Sequence, residues 1–247
     1  MADDFMVKTG IPGLDKICGG GFTKGSVVTV AGTPGVGKTL FSLQYIYKGA
    51  LDYGEPGLFM STEETPEMIR YHAKCLGWDD WDKLEKEGLV TVIQPGIMSQ
   101  AHMTSAPSFT GLLEDISRYK VQRFAFDSWN TLKMFFGDEK GVRVNVFRLI
   151  NHIKSMGLTS IITTETNEAF PRVYFGPEFF LSDGVIIMFF SQSGASMERC
   201  LWCMKMRGQN LMTDIFPMSL DNTGVKVFPG KKPFSLERAV IPETQFR

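Results

Sequence analysis

Short β-rich runs, most of them continuously apolar, recur along the chain and alternate with segments whose apolar residues fall at helical spacing. The runs are SVVTVA at 26–31, GLFMST at 57–62, LVTVI at 89–93, RFAFD at 123–127, TSIITTE at 159–165 and GVIIMFF at 184–190. Runs without polar alternation are what the strands of a parallel sheet covered on both faces require. Between them, Val142, Val146, Leu149, Ile150, Ile153 and Met156 fall on one face of a helix predicted over 139–156 and closed by Gly157. Thr65 is placed to cap a helix that begins at Pro66 and ends at Gly77. Ser108 opens a further helix with Leu112, Leu113, Ile116 and Tyr119 inward. Strands alternating with helices of these lengths predict βαβ units and a doubly wound α/β fold. After Gly184 the helical spacing stops. Segments at 184–190, 197–206, 214–219 and 225–228 predict an antiparallel β-meander that extends the sheet, and 230–247 reads as a polar tail behind a domain spanning 1–229.

Composition narrows the function classes. The 247 residues are 43% hydrophobic and 21% charged, enough to bury one full α/β core without wholesale disorder. A formal charge of −1 supplies no global field to attract nucleic acid or an anionic membrane. The longest apolar run, Val185 to Phe190, is far shorter than the ~20 residues of a membrane span, and MADDFMVKTG has no charged start followed by an apolar stretch. Four cysteines (Cys18, Cys75, Cys200, Cys203) make no disulfide framework, so the expectation is a reduced, cytoplasmic protein.

The chemistry concentrates at Gly32-Thr33-Pro34-Gly35-Val36-Gly37-Lys38-Thr39, which fits GxxxxGK[ST] in full. It follows the run 26–31 and opens a helix with Leu40, Phe41, Leu43, Ile46 and Tyr47, and the nucleotide-binding set is taken from Gly32 through Leu40. Glycines let backbone N–H groups turn toward phosphate oxygens, and the helix N-terminus adds its positive dipole end. In this reading Lys38 reaches the β- and γ-phosphates of ATP, and the Thr39 hydroxyl ligates Mg²⁺. A second Mg²⁺-holding group is expected at the end of an apolar strand, and Asp127 supplies it, 89 residues beyond Lys38. That gap contains further strands and helices; small-molecule kinases and GTPases tend to place the Asp strand next to the loop strand, whereas other NTPases insert one between. Glu63 and Glu64 follow the run 57–62 and would lie on the ligand face of the sheet, where a carboxylate can orient and deprotonate the attacking water. An acidic first helical turn explains the pair almost as simply.

These residues together resemble a family. Thr9-Gly10-Ile11-Pro12-Gly13-Leu14-Asp15, the GTPGVGKT loop, Ser61-Thr62-Glu63-Glu64-Thr65-Pro66, Asp127-Ser128 and Lys205-Met206-Arg207-Gly208 resemble a single-domain KaiC-like ATPase of the RecA/DnaB superfamily over about 7–229. The resemblance implies a RecA-type core, a mostly parallel sheet with helices on both faces, and ATP bound between adjacent subunits of a homo-oligomeric ring, commonly a hexamer. It implies that Glu63 and Glu64 carry the catalytic carboxylates, and that Lys205 and Arg207 reach the γ-phosphate of the neighbouring subunit. Asp221 and Asn222 would lie near that nucleotide, also from the adjacent subunit.

The late strand also has a reading of its own. Alternation over 197–206 puts Cys200, Trp202, Met204 and Met206 on an apolar face, and Arg199, Leu201, Cys203, Lys205 and Arg207 on a mixed cationic one. Two cations aimed together suit an anion, although a solvated strand face accounts for the spacing alone. The pair Cys200 and Cys203 would face opposite sides of the strand, so neither a zinc nor a redox site is expected there. His72, His102 and His152 show no metal-ligand spacing and are read as chemically silent. Thr163, Thr164 and Glu165 end a central strand and could sense the γ-phosphate.

Three functions compete: an ATP-hydrolysing regulatory switch acting on a protein client, a nucleic-acid motor or recombinase, and a non-hydrolysing scaffold or autokinase. The segments 128–140 and 166–176 carry only Lys133, Lys140 and Arg172 against Asp138, Glu139 and Glu168, which makes no electrostatic funnel for nucleic acid. The clock member of the resembled family accepts phosphate where this chain has Phe179 and Phe180, which cannot, so autophosphorylation there is not expected, though Ser182 or another hydroxyl could substitute.

Overall fold

The computed structural model describes residues 5–95, 109–133, 138–166, 175–193 and 195–234. Its elements run β1 (Met6–Val7), α1 (Leu14–Ile17), β2 (Phe22–Thr23), β3 (Val27–Gly32), α2 (Lys38–Tyr53), β4 (Gly57–Ser61), α3 (Pro66–Cys75), α4 (Trp81–Lys86), β5 (Val90–Ile93), α5 (Phe109–Ser117), β6 (Arg123–Asp127), α6 (Trp129–Lys133) and α7 (Glu139–Ser155). They continue with β7 (Thr159–Glu165), α8 (Pro177–Leu181), β8 (Gly184–Ser193), β9 (Ser196–Met206), β10 (Ile215–Asp221) and β11 (Gly224–Val227). The fold is α/β, as the alternation of runs predicts. Ser108, the expected start of the fifth helix, lies outside the described residues, as do His102, Glu168 and Arg172.

The main sheet has nine strands in the order β11-β10-β9-β8-β3-β7-β6-β4-β5. From β8 to β5 all neighbours are parallel, and β9, β10 and β11 add an antiparallel meander. Strand β7 sits between β3 and β6, so the loop strand and the Asp127 strand are separated by one, the second of the two arrangements. Each central strand divides its apolar residues between the two faces. Val28, Val30, Phe59, Ala125 and Ile161 enter the core shared with α2, while Leu58, Met60, Phe124, Phe126 and Ile162 pack with Val146, Leu149, Ile150 and Ile153 of α7. Both faces are therefore dry, which is why these strands show no polar alternation.

Helix punctuation follows the sequence. Thr65 Oγ1 accepts the Met68 N–H at 3.3 Å ahead of Pro66, and Gly77 adopts φ 68° beyond the last turn. Asp138 caps α7 through the Gly141 N–H at 2.7 Å, and Gly157 closes it at φ 70°. The early TGIPGLD segment has a structural task. Buried Thr9 donates both its N–H (2.9 Å) and its hydroxyl (2.6 Å) to Asp15 Oδ1, and Ile11 N–H in turn bonds Thr9 Oγ1. Asp15→Ala strands those donors, and a loss of ~1.5–3 kcal/mol in urea unfolding is the expected outcome.

Strand β9 corrects the expected alternation. Its pairing with β8 slips between Val185 and Ile186: Val185 faces Lys205 but Ile186 faces Cys203, so Met204 is an extra residue. A bulge of this kind reverses the side-chain pattern beyond it. Leu201, Cys203 and Met206 consequently share one core, whereas Cys200 and Trp202 enter another on the opposite face, the face to which Lys205 returns. The two cysteines of the C-x-x-C do face opposite sides. All four cysteines are free thiols, with Cys203 Sγ 3.7 Å from Cys18 Sγ. At the far end, Phe234 N–H bonds Glu198 Oε2 at 2.8 Å, so residues 230–234 fold back on β9.

Candidate functional site

The loop between β3 and α2 is built on close approach. A Cβ on Gly32 would stand 2.3 Å from the Met188 carbonyl oxygen of β8, and Gly37 holds φ 109° with Leu220 against its Cα. Val36 points inward to the core and serves the loop only through its backbone. Lys38 is buried, and its ammonium donates to the carbonyls of Gly32 (3.0 Å) and Thr33 (3.2 Å), folded onto the loop itself. Burial lowers its pKa, while the carboxylates of Glu165, Asp127 and Glu63 pull in the opposite direction.

Those carboxylates converge because three parallel strands end at one level. The ends of β4 and β6 are stitched together: Thr62 N–H bonds the Asp127 carbonyl (2.7 Å), and Ser128 N–H bonds Thr62 Oγ1 (3.0 Å). The Ser128 hydroxyl holds Glu63 Oε1 at 2.5 Å. Asp127 accepts from the Thr163 hydroxyl of β7, and the Thr39 hydroxyl of α2 is near enough to act on its carboxylate. Burial raises the Asp127 pKa against the opposing pull of those two hydroxyls, with Glu63 adding to the rise and Lys38 resisting it. Glu64 turns away toward α3, where its carboxylate lies 3.0 Å from His72 Nδ1. A cavity of about 540 Å³ opens over this cluster; Lys38, Thr39, Glu63, Glu64, Asp127 and Glu165 line it together with Pro34, Gly35, Gly37 and Leu40.

Its other wall is Leu43 of α2 with His72, Cys75 and Leu76. Nothing in the sequence announces this wall, where His72 Nδ1 lies 3.0 Å from the Glu64 carboxylate. His72 and Cys75 are three apart on one helix, a periodicity open to inspection, but nothing local says that this face turns to the loop.

Lys205 and Arg207 are brought together, though not at this cavity. Lys205 Nζ donates to the carbonyls of Phe179, Phe180 and Ser182 (3.1, 3.3 and 2.6 Å), and Arg207 donates to Phe180 (2.9 Å) and pairs with Asp183 (3.5 Å). Burial lowers the Lys205 pKa, and Arg207 adds to the effect. Asp221 and Asn222 occupy the β10–β11 hairpin. Leu220 packs on Gly37, so that hairpin flanks the loop of its own chain. The Asp221 carboxylate accepts from Thr223 N–H (2.8 Å) and Lys226 (3.2 Å). Ser182 is fully buried, its hydroxyl 2.5 Å from both Thr29 Oγ1 and the Glu178 carbonyl, so it is sealed from any phosphate donor.

A glycine loop between a buried parallel strand and a helix, with a lysine and carboxylates gathered at its mouth, defines a P-loop nucleotide-binding protein on a RecA-like sheet. Residues 7–232 match the family described as "ATPase: KaiC", and the chain belongs to that family. It is an ATP-binding P-loop protein. It is 33% identical over 229 residues to the circadian clock oscillator protein KaiC of Synechococcus elongatus, covering 90% of this chain and 44% of that one. The KaiC of Nostoc sp. is likewise 33% identical over 229 residues, with the same coverage. The chain thus spans less than half the length of these curated relatives. Among solved structures, the KaiC-like protein PH0186 from Pyrococcus horikoshii OT3 superimposes with a TM-score of 0.79 at 31% identity, over 91% of this chain and 99% of that one. No helix among the described residues is long and apolar enough to cross a membrane.

Proposed function

We propose that this chain hydrolyses ATP with the help of Mg²⁺, as a slow regulatory switch whose site is completed by a second copy of the same chain. The observation that carries the reading is the convergence of Lys38, Asp127 and Glu63 on one cavity at the mouth of the loop. Hard oxygen donors are what Mg²⁺ selects, and Asp127 and Thr39, which line the same cavity, offer two of them. The bound ion would withdraw charge from the phosphate oxygens. Lys38 would leave its loop carbonyls for the β- and γ-phosphates, and the backbone N–H groups of 32–40 would line the chain of phosphates. Glu63, fixed by Ser128, would accept a proton from the attacking water, and Glu64, anchored on His72, would shape the same wall.

Among the described residues, Lys38 is the one Lys or Arg that lines the cavity, and Lys205 and Arg207 stand at α8, away from it. Both are presented for another copy, as in a ring of subunits. A nucleic-acid motor is disfavoured further, because Lys133 is paired with Glu178 at 2.7 Å and is not free for phosphate. Turnover measured against protein concentration tests the reading. Specific activity should rise steeply as copies associate and then level off. A rate per chain that is constant down to nanomolar protein, with the chain monomeric throughout, would sink the shared site.

A further inference from the structure

A chain of polar contacts runs from the end of β7 across α8 to Lys205 and Arg207, and its hub is a carboxylate that hydrolysis itself does not use. Glu178, in α8, is only 2% exposed. Its Oε1 accepts from Lys133 Nζ at 2.7 Å and lies 3.1 Å from Thr164 Oγ1, while Oε2 is buried with no hydrogen-bond partner among the described residues. A buried carboxylate with one bare oxygen is a poor way to fasten a helix if fastening is its whole task.

Toward the nucleotide, Asn130 Oδ1 lies 2.8 Å from the same Thr164 hydroxyl and accepts the Glu165 N–H at 3.1 Å. A hydroxyl has one proton, so Thr164 can give it to Asn130 or to Glu178 but not to both. Glu165 lines the cavity and acts electrostatically on Lys38. Away from the nucleotide, the carbonyls at the end of α8 are the ones that receive Lys205 and Arg207. One contact path therefore joins the cavity of this chain to the two cations it holds out.

We propose that Glu178 is a positioning residue that ties the nucleotide end of β7 to α8 and so sets where this chain presents Lys205 and Arg207 to a neighbouring copy. The inference rests on the shared-site reading above. Its consequence is directional: damage at Glu178 should impair the neighbour's site and spare the chain's own.

Mixed assemblies read that direction. Glu178→Gln alone should lower turnover about tenfold, a usual cost for losing a supporting contact, with the affinity of its own loop for ATP unchanged. Combined with a chain carrying Glu63→Gln and Glu64→Gln, it should recover to about a quarter of wild type. That is the share of contacts in a random equimolar ring that pair an intact loop with an intact cation donor. Combined with Arg207→Ala it should not recover, since both chains are then defective donors. The opposite pattern places Glu178 in its own chain's site and overturns the proposal. Recovery with neither partner overturns it too, provided that Arg207→Ala mixed with the double Gln chain does recover. Failure of that last mixture, or a wild type without turnover, removes the shared site itself and the proposal with it. Gly176→Ala guards against a folding defect in Glu178→Gln. A Cβ there would come 2.4 Å from Glu178 Oε2 at an ordinary backbone φ of −72°, displacing the carboxylate without deleting it. It should reproduce the Glu178→Gln pattern, and a folded Gly176→Ala chain with wild-type turnover would refute the role.

Discussion

Lys38→Ala is expected to abolish saturable binding of Mg-ATP at millimolar nucleotide in calorimetry, a loss of at least ~10²-fold, or ~2.8 kcal/mol. The side chain has two functions that disappear together. Its ammonium bonds the Gly32 and Thr33 carbonyls and so holds the loop in shape. It is also the one positive charge among Glu165, Asp127 and Glu63 at the described cavity wall. With alanine there, a triphosphate would enter a pocket whose remaining charged groups are mostly carboxylates, and repulsion would replace a charge-assisted contact. Burial already depresses the Lys38 pKa, so the carboxylates are what keep the ammonium available, and a nucleotide that displaces it from the loop carbonyls gives it a stronger partner. An affinity unchanged in Lys38→Ala would remove the basis for placing ATP here.

The second large effect falls on turnover and leaves binding in place. Glu63→Gln together with Glu64→Gln should lower hydrolysis by at least ~10²-fold while the nucleotide stays bound, because an amide keeps the shape and cannot take a proton. The two positions should contribute unequally. Glu63 is fixed by Ser128 and acts electrostatically on both Lys38 and Asp127, so it faces the reacting end. Glu64 is turned to His72 on α3. Glu63→Gln alone should therefore account for most of the loss, and Glu64→Gln for the smaller share. Equal losses in single-turnover measurements would argue that the carboxylates act as one unit. A double variant with wild-type turnover would show that the base lies elsewhere.

The parallel strands were legible because the central ones are buried on both faces and read as β-rich runs without polar alternation, and the edge strand β5 keeps the same β-branched composition. The loop was legible because phosphate binding fixes glycines, Lys38 and Thr39 at set spacings in a contiguous stretch. Asp127 and Glu63 could be found for a related reason, since both directly follow such a run. The helices over 66–75 and 139–155 announced themselves through caps and a 3.6-residue period. Short elements did not. Four residues of α1, five of α6 and five of α8 span too few turns for any period to show.

The sequence by itself determined the parallel core, the phosphate loop and the order in which the carboxylates follow their strands, because those features depend on contiguous residues and local stereochemistry. Only the tertiary structure decided which groups share a cavity. His72 meets Glu64, and Leu220 seats the β10–β11 hairpin against its own loop, because packing joins segments far apart in the chain. The extra residue at Met204 moves Lys205 to the opposite face from Leu201 and Cys203, since a bulge depends on the pairing with β8 and leaves no mark in the strand's own alternation. Glu178 likewise becomes a hub between the nucleotide end of the sheet and the Lys205–Arg207 pair only when β7, α6 and α8 are folded against one another.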